Sequence, residues 1–135
     1  MHRIFLDANV LFSAAYRADS GLQQLWKLKN TVLCSSRCAL EEARVNLEDE
    51  DQRGRLQELA GKIEFCEAQD RPLPRGISLP EKDIPILLAA IEGRADYLLT
   101  GDVRHFGGYF SRKIEGVVVM PPADYLKVAR HRSRG

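Results

Sequence analysis

The chain has 135 residues, 44% of them hydrophobic, with 20 Lys and Arg against 19 Asp and Glu. That length and apolar content suit one domain with an ordinary core, and a net charge of +1 exerts no global pull toward nucleic acid or membrane, so any such pull must come from local patches. The N-terminus enters an apolar strand without a signal-peptide core, and no apolar run reaches the roughly 18 residues of a membrane helix, so a soluble, cytoplasmic protein with no membrane partner is expected. Cys34, Cys38 and Cys66 form no CxxC pair and read as reduced residues, which argues against an oxidising compartment.

In chain order, Arg3 to Leu6 is a short apolar strand that runs into Asp7-Ala8-Asn9. Leu22, Leu25, Trp26 and Leu28 fall near one helical face behind Ser20, a suitable N-cap. Thr31 to Ser35 is a second strand, after which Ser36 can cap a helix from Arg37 to about Leu47 along the stripe Ala39, Leu40, Ala43 and Leu47. The polar stretch Leu47 to Arg55 predicts a solvated helix or a helix-helix connection, interrupted at Gly54. Ile63 to Cys66 is a third strand, and the prolines of Arg71 to Pro80 mark an irregular loop. Pro85 is tolerable only in a first turn, so the next helix begins near Asp83; being apolar on nearly every side, it should be covered on both flanks. Strands follow at Tyr97 to Thr100 and Val117 to Met120, and the basic tail Arg130 to Gly135 is either a frayed terminus or an electrostatic arm for a phosphate backbone. Strand alternating with helix predicts an α/β fold, a three-layer α/β/α sandwich around a parallel sheet of about four or five strands, with residues 1–135 as a single domain.

Carboxylates recur where such a sheet presents its ligand crevice. Asp7 and Asp102 each follow an apolar strand, and the carboxyl ends of parallel strands line one rim. Either residue alone could simply cap a helix; together they point to a hard metal ion. Asp83 heads the apolar helix as a further carboxylate or as its N-cap. Of the neighbours Glu41 and Glu42, helical spacing sets Glu42 nearer the buried flank and Glu41 outward.

Four segments in order, Phe5-Leu6-Asp7-Ala8-Asn9-Val10-Leu11, Ser36 with Glu42, Asp83 through Ala90, and Tyr97 through Asp102, together resemble the PIN domain family. Val103-Arg104-His105-Phe106-Gly107 is similar to the bacterial and archaeal branch associated with toxins of toxin-antitoxin pairs. The resemblance implies a ribonuclease that hydrolyses RNA phosphodiester bonds at one acidic pocket built by Asp7, Glu42, Asp83 and Asp102. It implies one or two Mg²⁺ or Mn²⁺ ions, with Asp7 and Asp102 as principal ligands. Asp83 would be a further ligand reached through water, and Glu42 a ligand or an orienter of the attacking water. Asn9 and Thr100 match small polar and hydroxyl positions beside the acids and are expected to contact substrate. A homodimer and a small antitoxin protein are the partners the resemblance implies. Pro85 and Arg94 are minor departures from the family pattern.

An all-carboxylate site fits Mg²⁺ or Mn²⁺, whereas zinc is disfavoured because no His or Cys joins the set. Clustered carboxylates repel one another, so without metal at least one should hold a raised pKa. The same charge repels a phosphate backbone, and rim cations must hold the substrate. Arg104 and His105 are nearest by sequence, with Arg17, Arg37, Arg112 and Lys113 as possible extensions. Trp26 and Phe106 could stack on bases but sit in apolar spacing that suits the core. Two rivals stand beside this reading. A haloacid-dehalogenase-like phosphatase would use Asp7 as nucleophile, but its second acid is Asn9 here and its later acid is missing after Asp102. A catalytically silent PIN fold would bind RNA or act as a scaffold.

Overall fold

The computed structural model describes residues 1–134, with side chains through Arg130. Six strands form one sheet in the order β3-β2-β1-β4-β6-β5: β1 (His2–Leu6), β2 (Thr31–Ser35), β3 (Glu64–Phe65), β4 (Tyr97–Leu99), β5 (Lys113–Ile114) and β6 (Val117–Met120). All pairings are parallel except β5 with β6. The helices are α1 (Ala8–Tyr16), α2 (Arg37–Asn46), α3 (Glu50–Ala60), α4 (Ile84–Glu92), α5 (Val103–Phe106) and α6 (Pro122–Arg134), with a 3-10 segment at Gly21–Lys27. This is the expected α/β architecture, a mostly parallel sheet flanked by helices. The interior strands read as continuous apolar runs because both their faces are covered: Ile4, Phe5, Leu6, Leu98, Leu99 and Val119 are fully buried.

The sheet has one strand more than the four or five expected. β5 is a two-residue strand that turns into β6 through Glu115 and Gly116, both at positive φ (46° and 91°), the backbone of a tight hairpin. A strand of two residues carries no readable alternation in the sequence.

Gly54 does not interrupt a helix. The break falls earlier, where Asp49 opens α3 with a capping box: Asp49 Oδ1 accepts from the Gln52 N–H at 2.8 Å, and Gln52 Oε1 accepts from the Asp49 N–H at 3.2 Å. One exposed mid-helix glycine costs only about 1 kcal/mol, so a well-capped helix runs through it. Elsewhere the caps lie where the sequence indicates, with Ser20 accepting from Leu22 N–H and Ser36 from Ala39 N–H. In α4, Pro85 occupies the first turn and Ile86 through Ala90 are all buried. The basic stretch expected as a tail continues α6 through Arg134; Gly135 and the side chains of His131 to Arg134 lie outside the described residues. No helix among the described residues is long and apolar enough to cross a membrane.

What positions the site is the register of the two central strands. Leu6 pairs with Leu99, and the Asp7 N–H donates to the Leu99 carbonyl at 3.1 Å, so the chain leaves β1 and β4 side by side on one rim.

Candidate active site

Asp7 stands at the head of α1 and is almost fully buried, yet both its oxygens are served. The Ala8 N–H donates to Oδ1 at 2.7 Å; the Thr100 hydroxyl donates to Oδ2 at 2.8 Å, joined by Asn9 Nδ2 at 3.2 Å. Thr100 also accepts from Asn9 Nδ2 at 3.2 Å and from the Asp102 N–H at 3.0 Å, while Asn9 Oδ1 accepts from the Gly101 N–H at 2.8 Å. The Asp7 and Asn9 side chains thus tie the end of β1 to the turn after β4. Asp7 caps α1 and also lines the cleft, so a capping role does not take it out of reach of a ligand there. Burial pushes its pKa up to about 6, against the hydrogen bonds from Thr100 and Ala8 and with added repulsion from Asp83 and Glu42.

Thr100 has no exposed surface, so its hydroxyl holds Asp7 and Asp102 in place and has no atom to offer a substrate. Asn9 is half-buried and lines the cleft.

Asp83 precedes α4 but makes no capping hydrogen bond, so the helix-cap reading of this residue does not hold. It is only 6% exposed. Asp102 splits its oxygens: Oδ1 accepts from the His105 backbone N–H at 3.0 Å and caps α5, leaving Oδ2 directed elsewhere. His105 Nδ1 lies 2.8 Å from Asp102 Oδ2 and 2.9 Å from Asp83 Oδ2. Neither contact has hydrogen-bond alignment, and Asp83 Oδ2 and His105 Nδ1 are both buried atoms without a hydrogen-bond partner. Burial raises the Asp83 pKa; His105 and Lys82 act against that rise, and Asp102 adds to it.

Asp7, Glu42, Asp83 and Asp102 all line one cleft of about 700 Å³. They do not form one tight knot. The donor atoms of Asp83, Asp102 and His105 lie within 4.8 Å of one another, and neither Asp7 nor Glu42 belongs to that group. Glu42 is exposed on α2 at the cleft wall, whereas Glu41 is paired outward with Arg44 at 2.6 Å. A buried carboxylate oxygen with no aligned donor beside a second carboxylate is a donor set that suits a divalent cation. The argument against zinc, that no histidine joins the acids, fails because α5 turns His105 into the cluster. Its spacing from Asp102, three residues on a helix, brings the two side chains to one side.

Lys82, directly before Asp83, also lines the cleft, and no motif in the sequence singles it out. Phe12, Leu22 and Pro122 add an apolar wall. Arg104 is exposed on α5. Phe106 is buried and Trp26 packs on the core with its indole N–H donating to the Leu59 carbonyl at 3.0 Å, which suits the packing role and leaves neither ring free to stack on a base. Arg37 instead lies over Phe65 and Arg112 over Tyr109.

A family model described as PIN domain matches residues 3–104, about three quarters of the chain. The chain therefore belongs to the PIN domain family, whose members are generally nucleases that use divalent metals. No curated protein matches the chain significantly.

Proposed function

We propose that this chain is a metal-dependent ribonuclease that hydrolyses RNA phosphodiester bonds in the acidic cleft, with residues 1–135 acting as one PIN-like domain. The observation that carries the reading is the convergence of Asp7, Glu42, Asp83 and Asp102, from four separate segments, on one cleft in which a buried Asp83 oxygen has no aligned partner. Asp83 and Asp102 would hold Mg²⁺ or Mn²⁺, with Asp7 lining the same cleft. A divalent cation there supplies Lewis-acid polarisation of the phosphodiester and eases deprotonation of an attacking water.

The chain's own residues supply the rest. Thr100 and Asn9 fix the Asp7 carboxylate so that it need not reorganise during reaction. Glu42, exposed on the cleft wall, would orient a water. Lys82 and Arg104 give the cleft and its rim positive charge with which to hold a backbone that the carboxylates repel. A toxin role belongs to the same proposal on the likeness of the Val103 to Gly107 segment, while a small antitoxin protein that covers the cleft and a homodimer rest on the family resemblance as a whole.

The test is cleavage of single-stranded and structured RNAs by the purified protein in Mg²⁺, Mn²⁺ or EDTA, beside Asp83→Asn prepared identically. Metal-dependent cutting that the substitution abolishes is the expected result. Intact RNA in every metal, combined with Mn²⁺ binding indifferent to Asp83, would leave a catalytically silent PIN fold as the better account.

A further inference from the structure

We infer that His105 is a protein ligand of the cation, donating through Nδ1 beside Asp83 Oδ2 and Asp102 Oδ2, and that this nitrogen biases the site toward Mn²⁺ and later divalent metals over Mg²⁺. The inference rests on the nuclease reading and names the donor set and metal preference of that same site.

The geometry has three parts. First, the three atoms converge from two elements. Asp83 comes from the turn that opens α4, and Asp102 and His105 from either end of the single turn of α5. Second, the spacings suit ligands sharing one ion. Adjacent donors on an octahedron with bonds of roughly 2.1 Å stand about 3 Å apart, and His105 Nδ1 lies 2.8 and 2.9 Å from the two carboxylate oxygens. Third, the His105 contacts lack the alignment of a simple hydrogen-bonded ion pair. An imidazolium filling the gap would aim its Nδ1–H at one oxygen, yet neither contact is aligned and both Asp83 Oδ2 and His105 Nδ1 lack a hydrogen-bond partner. Asp83 is more than nine-tenths buried, so water does not readily supply that partner.

The backbone keeps this arrangement independent of the imidazole. Asp102 Oδ1 is held by the His105 main-chain N–H, so removing the ring leaves the cap and the Asp102 orientation in place. The consequence for selectivity follows from donor chemistry. Mg²⁺ takes oxygen donors and gains little from an imidazole, whereas the first-row divalent ions accept it, with affinity rising from Mn²⁺ to Cu²⁺.

The experiment uses the full chain stripped of metal. Mn²⁺ is titrated in and the free ion followed by electron paramagnetic resonance, with Mg²⁺ as competitor; electron spin-echo modulation then asks whether a ¹⁴N nucleus is bound to the Mn²⁺. His105→Ala, His105→Asn, Asp83→Asn and Asp102→Asn are run in parallel, each shown to be folded by thermal melting without metal. The expected result is an imidazole ¹⁴N modulation in the unaltered protein that both His105 substitutions remove. His105→Ala should weaken Mn²⁺ at least about tenfold while changing Mg²⁺ competition much less. Asn, which offers an amide oxygen near the Nδ1 position, should recover part of the affinity and none of the modulation. Absence of ¹⁴N modulation, or Mn²⁺ binding as tight or tighter in His105→Ala, would overturn the assignment. If the aspartate substitutions still abolish binding in that event, the nuclease reading stands without His105. If they too leave binding unchanged, both fall.

Discussion

On the β1 side of the cleft, each oxygen of Asp7 has a donor within 2.8 Å, and the hydroxyl and amide that serve it are themselves tied to the turn after β4. On the α4 and α5 side, Asp83 Oδ2, Asp102 Oδ2 and His105 Nδ1 crowd together with no aligned hydrogen bond between them. The first side is finished by the fold alone; the second is electrostatically incomplete. A site divided in this way keeps a rigid carboxylate against which the other wall can adjust when a cation arrives. Removing parts from the two walls should therefore have opposite signatures, the incomplete wall governing metal and turnover and the finished wall governing stability.

The largest effect is expected at the incomplete wall. Asp83→Asn or Asp102→Asn should lower kcat/KM for RNA cleavage by about two to three orders of magnitude, as loss of a preorganised electrostatic group does, with little change in metal-free melting. A related measurement is calorimetry with added Mn²⁺. At a hundredfold excess over Kd the unaltered protein should gain about 2.7 kcal/mol of stability, and the Asp102→Asn protein should gain far less.

Thr100→Val attacks the finished wall. It leaves the Asp102 N–H and one Asp7 contact without the hydroxyl and should cost about 1–3 kcal/mol in denaturant unfolding. It should also raise the Asp7 pKa further, since the Thr100 hydrogen bond is the strongest influence holding it down.

Asp7→Asn should move stability the other way. The folded-state pKa of about 6 lies above the ordinary value of 3.8. The folded protein therefore holds an extra proton between those values, and stability declines as pH rises through that window. The neutral amide escapes that decline, worth at most about 3 kcal/mol, less what a mismatched amide loses at Ala8 or Thr100. In EDTA near pH 7, chemical denaturation should find Asp7→Asn more stable by about 1–2 kcal/mol, with a flatter profile between pH 4 and 6. Equal or lower stability across that range would show that the finished wall carries no such strain.

Lys82→Ala should have the smallest effect, a several-fold loss of RNA affinity that fades as salt is raised. Salt-independent loss would place Lys82 in the chemistry and not in backbone attraction.

Much of this was legible in the chain. The rim position of Asp7 and Asp102 followed from two apolar strands that each run into an aspartate, because parallel register leaves little freedom over where such residues emerge. The strand Thr31–Ser35 and the cap Ser36 were read with the bounds they have. The misreadings share a cause, which is dependence on short or nonlocal features. His105 joins the acids only because four residues after Asp102 form a helical turn, too few to show any periodicity. Asp83 looked like a cap because it heads a helix, but its carboxylate turns toward residues of another segment. The family likeness marks Thr100 as a substrate contact, but its hydroxyl is fully buried and is taken up by Asp7 and the Asp102 N–H.

Both margins of the sheet close on strands of two residues, β3 and β5. An unpaired strand edge is a template on which another extended chain can add, and its reach depends on how many free N–H and C=O groups stand in line. The valine-rich strand Val117–Met120, the sort of segment that stacks into fibrils, is paired on both sides and shielded from such contact. The folded sheet accordingly offers another chain only two-residue edges, and loss of the β5 hairpin would uncover the longer edge of Val117–Met120.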